Sequence, residues 1–323
     1  MAAVGGLAVL LALIVLMLVA LDSPIVLAQP QPTDPNANVA KKAPPPGSRK
    51  SAGWSQERMR TAKPTPIPRV DPNTIKKSGP VQPGRPASGN SRDTGQGGAR
   101  VSGDVAGVPL KWAGKLFYQQ PNGGYVCSGQ FVTYNVVLTA AHCLRDDATG
   151  EWFEDFVFSL QYNRGRSTAN YGYDCVMTKR GWVATDGSQW SFDYGLIRVL
   201  ARSATGYFGW HANWLPETYR RATKVGYPGD ILNGEVVQMD SGPLAEVTGE
   251  DDMLSLSHGN PRNAGGSSGG AWVANFSRSA AGANGNRVVS VTSHHRGDDT
   301  TVSYGVRLGT GFMEMLEDIS GGC

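Results

Sequence analysis

Ser268 stands in the run Gly265-Gly266-Ser267-Ser268-Gly269-Gly270-Ala271-Trp272. Small neighbours on both sides let its hydroxyl project from a tight turn while the backbone comes close to a bound carbonyl. Glycine permits positive φ and has no Cβ to block that approach. The amides of Gly266 and Ser268 can then point at a developing oxyanion, usually the largest electrostatic contribution in acyl transfer. Gly/Ser runs are also common in flexible loops, so this run alone leaves both readings open. A second constellation lies upstream, in Val136-Val137-Leu138-Thr139-Ala140-Ala141-His142-Cys143. There an apolar strand ends in two alanines and presents a histidine beside a cysteine. Small residues leave room for an imidazole that must lie against a nucleophile and turn to shuttle its proton. A lone histidine is normally a satisfied structural residue, but this context reads as a general base. Cys143 can reach back to Cys127, in Cys127-Ser128-Gly129, and pin the histidine loop to the preceding strands.

Taken in chain order, Cys127-Ser128-Gly129, Thr139-Ala140-Ala141-His142-Cys143, Asp193-Tyr194-Gly195-Leu196-Ile197 and Gly266-Ser267-Ser268-Gly269-Gly270 resemble the chymotrypsin-like serine peptidases. The resemblance runs from about Val108 to the C-terminus. The order His, Asp, Ser suits that fold and differs from subtilisins and α/β-hydrolases. Val225-Gly226-Tyr227-Pro228-Gly229-Asp230 and the proline-rich upstream segment are similar to the bacterial glutamyl-endopeptidase-like branch.

The resemblance implies roles. Ser268 would be the nucleophile, His142 its base, and Asp193 the acceptor of the other imidazole N–H. Phe192 and Tyr194 beside Asp193 argue for its partial burial and favour it over Asp186 or Asp174. The Gly266 and Ser268 amides would form the oxyanion hole. The implied reaction is peptide-bond hydrolysis through an acyl-enzyme, on protein or peptide substrates and without a cofactor.

Two departures stand out. Animal digestive relatives carry an aspartate before the nucleophile that pairs with a new N-terminal amine; here that position is Ser267. The cysteines that frame the specificity pocket in those relatives are absent around Ser268. By resemblance the pocket floor lies near Arg262 and Asn263, and its wall is Thr292-Ser293-His294-His295. With no carboxylate there, cleavage directed at Lys or Arg is not expected. Arg262 and His294 could instead receive an acidic side chain, since a desolvated carboxylate needs a positive or donating partner. The plainer readings are a solvated arginine and a histidine packed against a strand.

The elements that must position these groups read as all-β. Strand candidates are Trp112–Tyr118, Tyr125–Cys127, Phe131–Thr133 and Val136–Thr139 about a Tyr134-Asn135 turn, Phe156–Leu160, Gly195–Val199, Ala222–Val225, Glu235–Met239, Met253–Leu256, Gly270–Val273 and Arg287–Val291. The expected fold is two antiparallel six-stranded β-barrels sharing a cleft, closed by a short C-terminal helix through Phe312, Met313, Leu316 and Ile319. Residues 101–323 would be this domain. No internal repeat is visible.

Upstream, residues 1–28 read as a signal peptide: an apolar run from Ala2 to Ala20, then Val26-Leu27-Ala28 with small residues suited to cleavage. About 20 apolar residues can also span a bilayer, so an uncleaved anchor is the alternative. Residues 29–100 are rich in Pro, Gly and Ser, and read as a disordered pro-segment or linker with Arg100-Val101 a candidate maturation point. Thirteen Lys/Arg face four Asp/Glu in 29–100, against seventeen and twenty-two in 101–323, so the overall charge of +3 hides opposite signs. Basic character therefore belongs to the N-terminal segment, and nucleic-acid binding is a poor reading of the chain. The opposite charges suggest that the segment leans on the domain.

In an exported chain the four cysteines point to disulfides rather than a metal site. Cys175 and Cys323 could then pair with each other, the alternative being two free thiols, which an exported protein disfavours. Asp251-Asp252 and Asp298-Asp299 could bind calcium but fit solvated loops, and His211 and His258 lack metal-ligand spacing. The expectation is a secreted monomeric serine endopeptidase, in contact with membrane only if the N-terminus stays uncleaved. Its rivals are a catalytically silent binding module of the same fold and a triad esterase.

Overall fold

The computed structural model describes residues 34–45, 53–75, 100–101, 104–184, 186–214, 217–250, 252–263, 265–279 and 285–323. The expected signal peptide, 1–28, lies outside them. In chain order the N-terminal segment contributes β1 (Asn38–Lys42), α1 (Gln56–Thr61), β2 (Lys63–Pro64), β3 (Arg69–Val70) and β4 (Arg100–Val101). A first group of strands follows: β5 (Ala113–Gln120), β6 (Gly123–Phe131), β7 (Val136–Thr139), β8 (Glu154–Leu160), β9 (Ala169–Lys179) and β10 (Gly195–Val199). The second group is β11 (Gly209–Trp210), β12 (Arg221–Gly226), β13 (Gln238–Glu246), β14 (Met253–Ser257), β15 (Ala271–Ala274), β16 (Arg287–Val291), β17 (His294–Arg296) and β18 (Asp299–Val306), with α2 (Thr310–Gly321) at the end.

The first group closes. Neighbours run β9-β10-β7-β6-β5-β8, and β8 pairs back to β9, giving a six-stranded antiparallel barrel. Its interior is Leu116, Phe131, Val137, Phe156, Phe158, Val176 and Ile197, all buried. Phe131 meets Phe158 and Tyr171 edge-on at 5.1 Å, an arrangement the ring quadrupoles favour. β9 escapes a sequence reading because Gly172 and Asp174 interrupt its apolar pattern and it ends in a buried lysine, Lys179.

The second group corrects the expectation of two barrels. Its order is β11-β16-β15-β12-β13-β14-β18-β17-β3, and the end strands β11 and β3 do not meet, so this sheet is open. The break falls at Thr292-Ser293, between β16 and β17. Thr292 N–H donates to Gly270 O at 2.9 Å, and Thr292 O accepts from Gly269 N–H at 2.8 Å. Thr292 thus braces the glycine-serine turn, and the next residue, Ser293, donates its N–H to Tyr304 O of β18 at 2.9 Å. α2 forms as expected and buries Phe312, Met315, Leu316 and Ile319. Disulfides join Cys127 to Cys143 and Cys175 to Cys323, the second tying the C-terminus to β9.

The N-terminal segment is the second correction. Where disorder was expected, residues 34–45 and 53–75 are built onto the domain. β1 adds to β9 as an antiparallel neighbour, and β2 and β3 pair in parallel with β6 and β17. Composition misled because a few large side chains suffice: Met59, Ile67, Val70 and Ile75 are buried, and Trp54 packs 5.4 Å from Phe117 while its indole N–H bonds Asp155 O. Opposite charges do meet, in Lys41–Glu154, Arg58–Asp155 and Arg69–Asp298. Partly exposed ion pairs contribute about 0–1 kcal/mol each, whereas each buried aliphatic contributes about 1.5–3 kcal/mol. The apolar anchors therefore decide the docking and the charges refine it. Among the described residues no helix is long and apolar enough to cross a membrane.

Candidate active site

Val136–Thr139 is fully buried as β7, and the chain then turns through a short 3₁₀ helix, Ala141–Cys143, which presents His142. Asp193 lies two residues before Gly195, which opens the neighbouring strand β10 and pairs with Thr139. That register puts the two side chains side by side. The His142 backbone N–H donates to Asp193 Oδ1 at 3.0 Å, and Nδ1 lies 2.8 Å from Oδ2. An ionised carboxylate only accepts, so the proton sits on Nδ1 and Nε2 of the neutral ring keeps its lone pair. Asp193 is fully buried. Burial alone would raise its pKa, but attraction to His142 and hydrogen bonds from His142 and Ser293 outweigh it and hold the carboxyl below its usual range.

Ser293, expected as a pocket residue, instead serves this pair. Its hydroxyl donates to Asp193 Oδ2 at 2.5 Å and accepts from His294 Nδ1 at 2.9 Å. His294 is a packed histidine, stacked on Tyr304 at 5.4 Å and tilted against Trp190 at 4.9 Å.

The glycine-serine turn is held from three directions. Ser128, on β6, donates its hydroxyl to Gly266 O at 2.8 Å and accepts from Tyr227 N–H at 2.9 Å; its own N–H donates to Ser268 O. Gly270 N–H closes back on Ser267 O. Gly266 has φ +92°, and a Cβ there would stand 2.7 Å from Tyr227 O, so glycine is required for both reasons. Ser268 is fully buried. Its Oγ and Nε2 of His142 are both buried and make no hydrogen bond among the described residues. Such bonds are often long before a substrate is engaged.

Ser267, where an activation switch would need a carboxylate, donates to Asn263 Oδ1 at 3.0 Å. Asn263 and His295, expected at the floor and wall of a pocket, open a buried polar cluster whose other members, Lys224, His258 and Ser303, the sequence did not announce. His295 Nδ1 faces Val302 O at 2.8 Å and so donates, leaving Nε2 to accept from Asn263 Nδ2 at 3.1 Å. His258 Nδ1 accepts from Asn260 N–H, which makes Nε2 the donor to Ser303 Oγ at 3.0 Å. Asn263 donates to the same oxygen at 3.0 Å. Lys224 Nζ lies 3.4 Å from Ser303 Oγ and 3.9 Å from Asp240 Oδ2. Burial lowers Lys224 to about 8 and His258 to about 2. Donors thus outnumber acceptors around Ser303. A lysine inside a strand and a histidine without metal spacing give no local hint of this cluster, because strands remote in sequence assemble it.

Arg262 is not brought to the cluster; it is exposed and donates to Asp230 O. The acidic pairs are engaged elsewhere: Asp298 with Arg69, Asp299 with Thr301, and Asp252 with Arg307. Asp251 lies outside the described residues. Ligand atoms of Cys127, His142 and Cys143 lie within 4.8 Å of one another, but both sulfurs are spent in the disulfide and offer no thiolate.

Comparison with known proteins supports the same fold. The protease Anisep from Arthrobacter nicotinovorans superposes with a TM-score of 0.58 at 22% identity, covering 69% of this chain and 100% of its own. The thermostable serine protease AL20 from an extremophilic microorganism gives 0.55 at 22%, covering 65% and 97%. A Glu endopeptidase solved with MPD gives 0.57 at 17%, covering 70% and 98%. No curated protein matches the chain in sequence. The model of the family described as Trypsin matches residues 101–308. On that match, with the barrel, the open sheet and the buried histidine–aspartate pair beside a serine turn, the chain belongs to the trypsin family of chymotrypsin-like serine proteases.

Proposed function

We propose that the protein is an exported serine endopeptidase. Ser268 attacks the scissile carbonyl, His142 Nε2 takes its proton and returns it to the leaving amine, and Asp193 holds the ring tautomer and steadies the imidazolium. Gly266 and Ser268 amides stabilise the oxyanion. The observation that carries this reading is a contact with Thr65. Its carbonyl accepts from Gly266 N–H at 2.9 Å, while Thr65 N–H donates to Val126 O at 2.9 Å. The amide assigned to an oxyanion therefore already holds the carbonyl of an extended peptide. The apolar run in 1–28, read from the sequence as an export signal, supports secretion, with residues 29–100 as the pro-segment.

The donor-rich cluster under Ser267 supports a preference for acidic side chains. Lys224, His258 and Asn263 converge on Ser303, leaving its hydroxyl proton to donate. A silent binding module is the second reading, favoured by the missing bond between Ser268 Oγ and His142 Nε2.

Fluorophosphonate labelling tests the two. Label on the wild-type domain freed of residues 29–100, absent from Ser268→Ala, is expected; a freed domain that takes no label supports the silent module. Casein and a nitrophenyl ester then separate peptidase from esterase, since turnover of the ester alone sinks the peptidase reading.

A further inference from the structure

Residues 63–70 pass directly beside Ser268, and their direction determines whether the site can cut them. β2 pairs in parallel with Tyr125 and Val126 of β6. The chain next places Thr65 O on Gly266 N–H, then Pro68 O on His295 N–H at 3.0 Å and Val70 O on Gly297 N–H at 3.1 Å. β3 pairs in parallel with His295 and Arg296 of β17. The segment thus enters along β6 and leaves along β17.

Hydrolysis demands the opposite path. When the tetrahedral intermediate collapses, the bond from the carbonyl carbon to the following nitrogen breaks. Its electron pair stays on that nitrogen, which takes a proton from His142. The residue after the scissile carbonyl must therefore lie on the His142 side. That side is β6: Cys127 follows Val126 there, and its sulfur lies within 4.8 Å of a His142 ring nitrogen. After the Thr65 carbonyl, however, the chain continues as Pro66 towards β17. The nitrogen that would leave points away from its acid, so an adduct at Thr65 could only expel Ser268 again.

Other features suit a resident ligand. Pro64, Pro66 and Pro68 keep the segment extended with little entropy left to lose on binding. Thr65 Oγ1 bonds the buried Tyr118 hydroxyl at 2.6 Å. A Cβ on Gly265 would collide with Thr65 O, so the turn leaves room for this strand. Outside the cleft, Trp54 lies against Phe117, and Arg58 covers its ring at 4.1 Å while bonding Gln119.

We propose that residues 53–75 are a built-in inhibitor, bound to the peptide cleft in the direction opposite to a substrate and therefore spared by the site they fill. This deepens the serine-peptidase reading and rests on it. A cut at Arg100-Val101 would leave the segment seated, so maturation and unblocking are separate steps.

Direction is testable without activity. In full-length Ser268→Ala, the pair Lys63→Cys with Tyr125→Cys should crosslink on mild oxidation, because those positions are in register. Crosslinking of Arg69→Cys with Tyr125→Cys in its place overturns the proposal. Fluorophosphonate labelling of the uncut chain then reads inhibition. Trp54→Ala should label at least about tenfold faster than wild type, since the anchor lies outside the catalytic groups. Arg58→Ala serves if Trp54→Ala does not fold. Equal labelling of anchor variant and wild type overturns the inhibitor alone. No label on either overturns the peptidase reading, and the inhibitor with it.

Discussion

Ser293 Oγ lies 2.5 Å from Asp193 Oδ2, the same oxygen that faces His142 Nδ1 at 2.8 Å. One carboxylate oxygen thus takes two donors from different sheets, Ser293 at the break in the open sheet and His142 at the end of a barrel strand. Removing the hydroxyl in Ser293→Ala should raise the Asp193 pKa and let the imidazole swing. A charge-assisted bond of about 1.5–3 kcal/mol predicts a fall in kcat of roughly tenfold or more, with KM little changed. Steady-state kinetics across pH checks this, and an unaltered acid limb would count against Ser293 as a positioning residue.

Asp193→Asn tests the tautomer argument. A carboxamide that turns its NH₂ to Nδ1 places the proton on Nε2, where it cannot accept from Ser268. A loss of roughly 10⁴ in kcat is expected with folding intact. A loss under tenfold would mean that another group orients His142.

Buried neutral histidines predict acid sensitivity. His258 and His294 are held near 2 and 3 by burial and neighbouring positive charge, far below the ordinary value of 6.5. Below pH 6.5 the unfolded chain binds protons that the folded chain refuses, so stability is complete above that pH and lost below it. Each histidine costs about 1.4 kcal/mol per pH unit, down to its folded pKa. Asp193, depressed in the fold, adds loss in the same direction as pH falls through its folded value. Urea melts from pH 7 to 4.5 should show the midpoint falling, and His294→Gln should flatten the slope.

The Cys175–Cys323 bridge closes 148 residues. Chain-entropy reasoning assigns such a loop about 4–5 kcal/mol. The double variant Cys175→Ala with Cys323→Ala should lose much of that in denaturant melts and expose α2 to hydrogen exchange first. Unchanged protection of α2 would show that Phe312, Met315 and Ile319 hold the helix without the bridge.

Ser303→Ala tests the pocket. It removes the hydroxyl on which Lys224, His258 and Asn263 converge, and should lower kcat/KM for a peptide with Glu before the cleaved bond. A drop of about tenfold relative to the Gln peptide is expected. A library profile dominated by Lys or Arg in the wild type would refute the acidic preference outright.

By itself the sequence named the residues proposed for the site's centre, and the structure sets His142 and Asp193 side by side. A buried apolar strand running into Ala140-Ala141-His142, an aspartate ahead of Leu196-Ile197 and a serine between glycines are local patterns, each set by what its own backbone must do. It also marked Cys127 and Cys143 as partners and the apolar face of α2, while the Cys175–Cys323 bridge was left open until the fold brought β9 to the C-terminus. What only the tertiary structure decided are contacts between strands far apart in the chain. Ser293 turns to Asp193 across a hundred residues, Thr292 braces the serine turn, and β11 takes the free edge of β16 in the open second sheet. Lys224, His258, Asn263 and Ser303 become one cluster only once β12, β18 and the loops around them fold together. Most of all, a composition that reads as disorder conceals Trp54, Met59 and Ile67. They find burial only on the finished domain, and that docking lays Thr65 across the amide of Gly266.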